Sequence, residues 1–204
     1  MSNANVGMIY PVWAPLTSHT DGSMPVYGTG RKLQEARNAT ITKEISDNPL
    51  YGDDHIVDND NGMTGMTVSF ESTGLTDEDR AAVLGDDLRT DGEYWESDNA
   101  SPKGGFGYIR KMRQGAANGG SVTRSFEAWL ILCVQLAEAT QATQTREGQI
   151  AWGTPTLTGR AEGMYVDDSG KVRFRLHKTF PTAAAAKTWL NGLLNISNAN
   201  TVTT

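Results

Sequence analysis

Met66-Thr67-Val68-Ser69-Phe70-Glu71 is the stretch that decides the fold. On an extended chain Met66, Val68 and Phe70 fall on one face, and Thr67, Ser69 and Glu71 on the other. Strict alternation of this kind predicts a half-buried β-strand. Upstream, residues 50–57 predict a partner strand, joined by a polar connector. Asn61-Gly62 suits a type I′ turn there, because both residues tolerate positive φ. Residues 39–45, Ala39-Thr40-Ile41-Thr42-Lys43-Glu44-Ile45, also alternate and predict a further half-buried strand.

Downstream the pattern changes. Thr76 and Asp79 match the S/T-x-x-D cap, and Asp77 and Glu78 suit the positive end of a helix dipole. Ala81, Ala82, Val83 and Leu84 supply the helix body, and Gly85 stops it. Residues 86–105 are acidic and glycine-rich, with Pro102, and read as a long loop of functional or disordered type. Residues 106–112 predict a strand and 114–120 a turn. The apolar run 126–134 reads as a strand, whereas 137–142 would also sit in a helix. Residues 150–152, 156–158 and 172–176 predict further strands, with Asp167-Asp168-Ser169-Gly170 turning into the last. A helix then runs from near Thr182 to Leu194, with Ala186, Trp189, Leu190, Leu193 and Leu194 as its apolar stripe. At the other end residues 6–12 are β-prone, and Pro11 marks an edge strand. Residues 14–30 are rich in Pro, Ser, Thr and Gly and read as an extended arm.

Length and charge narrow the classes. A chain of 204 residues suits one domain and can bury about 70% of its unfolded surface, so its core needs no metal or disulfide. The single cysteine, Cys133, lies in an apolar run and reads as a buried hydrophobe, compatible with synthesis in a reducing cytoplasm. No secretory leader or 20-residue apolar span is evident, so a soluble protein is expected. A net charge of -6 argues against gripping nucleic acid, which needs clustered Lys and Arg.

Candidate chemistry is thin. Tyr51-Gly52-Asp53-Asp54 superficially matches a polymerase metal hairpin, but no second aspartate motif accompanies it. Asp53, Asp54, His55, Asp58 and Asp60 could approach a hard cation, yet the EF-hand spacing fails and a solvated acidic hairpin is the better reading. Gly28-Thr29-Gly30-Arg31-Lys32 lacks phosphate-loop spacing, and no nucleophile elbow or zinc motif occurs. His19, His55 and His177 sit in unrelated contexts and read as structural. Arg110, Lys111 and Arg113 form the one basic cluster, suited to carboxylates of a neighbouring subunit. Trp13, Trp95 and Trp129 read as anchors in a core or interface. No catalytic residue, metal or cofactor is expected.

Taken in order, four blocks resemble the major tail tube protein of long-tailed, non-contractile bacteriophages. They are Val6-Gly7-Met8-Ile9-Tyr10-Pro11-Val12, Asn48-Pro49-Leu50-Tyr51-Gly52-Asp53-Asp54, Gly105-Phe106-Gly107-Tyr108 and Gly153-Thr154-Pro155-Thr156-Leu157-Thr158-Gly159. The strand-helix pattern ending in Leu84-Gly85 and the Ala-rich terminal helix complete the match, whereas residues 86–105 align with nothing.

The resemblance implies one tail-tube domain over residues 1–204, mainly β. It is a β-sandwich or half-barrel with a flanking and a C-terminal helix, an extended arm at about 12–30 and a long loop at about 86–105. It implies a non-enzymatic virion protein, made in the host cytoplasm, whose subunits close into hexameric rings and stack into the tail tube. Its implied partners are further copies of itself and the tape-measure, initiator and terminator proteins. Double-stranded DNA passes through the lumen without specific binding. On this reading Asp53, Asp54, Asp58 and Asp60 face the lumen or the ring interface. Ile9, Tyr10, Val12, Trp13 and Tyr27 form an inter-subunit edge strand and arm, with Arg110, Lys111 and Arg113 as an inter-subunit basic cluster. The alternatives are the tube protein of a contractile tail or secretion system, and a carbohydrate-binding β-sandwich using Trp13, Trp95 or Trp152 as a sugar platform. An acidic hydrolase built on Asp53 to Asp60 stands behind both.

Overall fold

A computed structural model describes residues 3–98, 100–114, 123–140 and 153–197. In chain order the elements are β1 (Asn3–Ser18), β2 (Val26–Tyr27), β3 (Arg31–Lys32), β4 (Ala36–Gly52), β5 (His55–Ser72), α1 (Asp77–Leu84), β6 (Asp87–Leu88) and β7 (Tyr94–Trp95). They continue as β8 (Lys103–Gln114), β9 (Thr123–Thr140), β10 (Thr156–Ala161), β11 (Met164–Tyr165), β12 (Val172–Arg173), β13 (Arg175–Phe180) and α2 (Ala183–Leu193). The chain is mainly β, as its alternating stretches predict.

Met66, Val68 and Phe70 on β5 are fully buried and Thr67 is exposed, so the alternation does set the buried face. Nine strands join in one antiparallel sheet of order β2-β1-β8-β9-β10-β5-β4, with β13 added beside β9 and β3 beside β1. The sheet curls around one core, where Phe70 and Phe106 meet at a centroid separation of 5.2 Å among Trp13, Ile131, Leu136 and Leu157. Its outer face carries a second core, where Val12, Ile109 and Leu130 pack with Ala186, Leu190 and Leu194 of the α2 region. The first part of β1, around Asn5 to Met8, and β4 approach across a cleft of about 370 Å³ with no backbone ladder between them. The architecture is therefore a half-barrel, not two stacked sheets.

Burial on both faces explains the continuous apolar run of β9. Leu130 and Leu132 face α2, whereas Ile131, Val134 and Leu136 face the interior. The strand continues through Ala137 and Glu138, which pair with Thr158 and Leu157, and Glu138 takes an ion pair from Arg80 at 3.3 Å. Cross-strand pairing thus outweighs the local helix preference of this stretch. Residues 141–142 lie outside the described residues, as do Trp152, the expected strand 150–152 and most of the expected turn at 114–120.

The β4–β5 reversal differs from the expected Asn61-Gly62 turn. Ile41 faces Val68, and counting outward equally from that pair meets at residues 54–55. Two register shifts along the ladder move the reversal to Asp53-Asp54, with φ of 47° and 62°. That is the backbone of a two-residue I′-type loop, closed by Gly52 opposite His55. Asn61 and Gly62 lie inside β5, opposite Asp47 and Ser46.

Two segments expected to extend are folded onto the body instead. β2 returns along β1, Gly28 N–H donates to Pro15 O at 2.8 Å, and the Tyr27 hydroxyl donates to Leu132 O at 2.7 Å. Burying a phenol is tolerable because that hydrogen bond satisfies it. Within residues 86–105, β6 and β7 pair as a small hairpin, and Asp86 accepts from the Tyr94 hydroxyl and from Ser97 N–H. α1 keeps its expected caps, and α2 is capped by the residue near which it was expected to begin. Thr76 Oγ1 accepts from Asp79 N–H at 3.2 Å, Gly85 closes α1 at φ 84°, and Thr182 Oγ1 accepts from Ala185 N–H.

Candidate assembly surfaces

Beyond its core-facing third, the β4–β5 hairpin has no other strand beside it among the described residues. β10 pairs only with Met66 to Glu71 of β5, so the ladder from Glu44 to His55 is two-stranded. Nine residues of β4 from Glu44 to Gly52 span roughly 30 Å at ~3.3 Å per residue. Leu50, Tyr51, Ile56 and Val57 on this projection are each more than half exposed. Ile45 pairs with Met63 and Tyr51 with Ile56, and alternation along β4 places Ile45, Asp47 and Tyr51 on one face. That face offers a side of apolar residues bordered by carboxylate. An isolated two-stranded hairpin is marginal in water, and the exposed apolar residues along it make it a candidate contact surface.

The acidic residues expected to act together do share this element. Asp53 and Asp54 form its tip and Asp58 lies opposite Leu50. The backbone of Asp60 pairs with Asn48, and its side chain lies outside the described residues. His55 Nδ1 lies 3.2 Å from Asp53 O and helps shape the turn. Among the described residues no three of His, Cys, Asp and Glu converge on a metal site.

The basic cluster is divided by strand alternation. Arg110 faces the half-barrel interior beside Glu127 at 3.9 Å, with its guanidinium 5.7 Å from the Trp129 ring centre. Lys111 and Arg113 are exposed on the opposite face, in a groove with Val6, Met112, Arg124, Ser125 and Phe126. Arg124 was invisible to sequence reasoning, because only the ladder places it directly opposite Arg113. Like charges opposite one another destabilise a sheet.

The remaining expected contact residues go to the chain's own cores. Tyr10, Val12, Trp13 and Tyr27 are all buried, and Ile9 is partly buried beneath α2. Among the described residues, residues 3–9 of β1 pair with a strand on the β8 side alone, whereas Pro11 O accepts from Leu33 N–H at 2.9 Å where β3 comes alongside. A register shift between Ile9 and Val12 holds Tyr10 at φ 57°, and its hydroxyl donates to Asn191 Oδ1 at 2.8 Å. A bulge of this kind re-aims a side chain, here onto α2 and not toward a neighbour. Trp13 is 1% exposed and cannot be a sugar platform, whereas Trp95 is half exposed beneath the Arg89 guanidinium at 4.4 Å.

The histidines are structural where described. His177 stacks on Trp129 at 4.2 Å, and His19 Nε2 lies 3.0 Å from Tyr165 O. Cys133 is buried, and burial pushes its thiol upward, away from the reactive thiolate. Comparison with protein-family models and with curated protein sequences gave no match.

Proposed function

We propose that this chain is a structural subunit of a bacteriophage tail tube, assembling with copies of itself into stacked hexameric rings. The observation that carries the reading is the projecting β4–β5 hairpin. A ~30 Å two-stranded ladder with exposed Leu50, Tyr51, Ile56 and Val57 gains its stabilisation from a neighbour. The ordered blocks that resemble major tail tube proteins supply the kind of assembly. A half-barrel in which β4 and residues 3–9 of β1 are not joined to each other can continue its sheet into the next subunit, and ring closure removes the exposed edges.

The mechanism is electrostatic and mechanical. Residues 46–62 hold five aspartates and no Lys or Arg, in a chain of net charge -6. Those carboxylates that face the lumen and not a neighbouring subunit repel phosphate, so DNA slides without being trapped. On this reading the protein resides in the virion tail, beside a tape-measure protein and capped by initiator and terminator proteins.

Negative-stain electron microscopy over a concentration series, with light scattering in parallel, tests the proposal. Rings or hollow tubes are the expected outcome. A protein that stays monomeric up to its solubility limit overturns it.

A further inference from the structure

We propose that the acidic tip of the β4–β5 hairpin of one copy seats in the basic groove of β8 and β9 on a second copy, as the lateral contact within a ring. The proposal rests on the assembly reading above and names the surfaces that carry it.

Charge is the first argument. Asp47, Asp53 and Asp54 have no Lys or Arg within ion-pair distance among the described residues. Lys111, Arg113 and Arg124 likewise have no carboxylate partner there. Residues 115–122, which connect the two groove strands, contain no acidic residue. Arg113 and Arg124 stand opposite each other uncompensated, so the groove gains from any carboxylate placed between them.

Apolar chemistry matches as well. Val6 and Phe126 border the basic residues of the groove, and the hairpin offers Tyr51 and Ile56 beside its aspartates. An aromatic anchor flanked by charge is a common arrangement at the centre of an interface.

Strand direction then fixes which copies touch. Met66 lies opposite Ala161, and Ala161 opposite Val134. Following antiparallel strands round the sheet, β5 from Met66 back to His55 runs the same way as β9 from Val134 back to Arg124. Tip and groove therefore lie at the same end of the sheet. Translating a copy along the strands leaves its tip far from the next groove. Rotating it about an axis roughly parallel to the strands brings tip to groove at one level, the relation between neighbours in a ring.

Charge reversal in the full chain tests this. The variants are D53K/D54K at the tip, R113E/R124E in the groove, and the chain carrying all four changes. Circular dichroism and thermal unfolding check that each folds, and sedimentation with electron microscopy reads assembly. Each one-sided reversal should raise the concentration needed for assembly by about a hundredfold at low salt, taking ~tenfold per reversed charge. The fourfold variant should recover it, because reversed tip meets reversed groove. Wild-type assembly with both one-sided variants unaffected overturns the docking and leaves the tube reading intact. Loss in both without recovery in the fourfold variant overturns direct pairing. A wild type that never assembles overturns the tube reading, and this contact with it.

Discussion

Gly107 shows how a single residue decides what lies on a sheet. A Cβ there would fall 2.9 Å from Val12 Cγ2 and 3.1 Å from Leu190 Cδ2, so only glycine lets the α2 side chains lie flat on β8. Gly107→Val should cost about 1–3 kcal/mol by overpacking, read as a lower denaturant midpoint. Tyr10→Phe removes the hydrogen bond to Asn191 and should cost about 0.5–1.5 kcal/mol in the same assay. Asp79 is the titrating counterpart. Burial pushes its carboxyl above the ordinary value, against the opposing pull of Thr76 and Arg31. A raised carboxyl binds its proton more tightly when folded. Its contribution to stability is therefore greatest below the ordinary carboxylate range and is lost as pH rises through the raised value. Asp79→Asn should remove that slope, which unfolding curves of both proteins across pH 3–7 would reveal.

The elements divide into those the sequence marks and those it only permits. Thr182 caps α2 and the helix buries Ala186 and Leu190, so Thr182→Ala should lower stability by about 1 kcal/mol, measured by thermal unfolding. The hairpin is the opposite case, because no other strand among the described residues pairs with its outer half. Replacing residues 47–61 with Asn-Gly joins Ser46 to Gly62, which already face each other, through a two-residue turn. The trimmed protein should keep its β-rich circular dichroism and its thermal midpoint to within a few degrees, yet fail to assemble. Tubes formed by it would remove the hairpin from the assembly mechanism.

On the scale of the whole molecule, the cores leave the function to the periphery. The inner core and the α2 core consume Trp13, Tyr10, Val12 and Tyr27, the residues that sequence reasoning assigned to neighbours. The surface outside them includes an acidic, partly apolar projection and a basic groove. Assembly driven by these two should weaken steeply with salt, since exposed charges are screened beyond about 8 Å at physiological ionic strength. Light scattering of one sample stepped from low to high salt checks that expectation. Assembly unchanged or strengthened by salt would favour an apolar contact without the charge pairing.

Alternation at Met66, Val68 and Phe70, the Thr76 cap, the start of α2 near Thr182 and its apolar stripe were legible in the sequence, because each depends on residues within a turn or two. The β character of the chain and the acidic residues of the hairpin followed from the same local signals. The turn at Asp53-Asp54 was not legible, since it is set by register against the buried face of β5 and overrides the stronger local turn signal of Asn61-Gly62. Nor was the inward fate of residues 10–13 and 27, which depends on a bulge and on the Tyr27–Leu132 hydrogen bond. The Arg113–Arg124 pair likewise exists only once β8 lies beside β9. Periodicity tells a chain which face to bury, but which surface stays open is decided by non-local pairing, and only the tertiary structure holds that information.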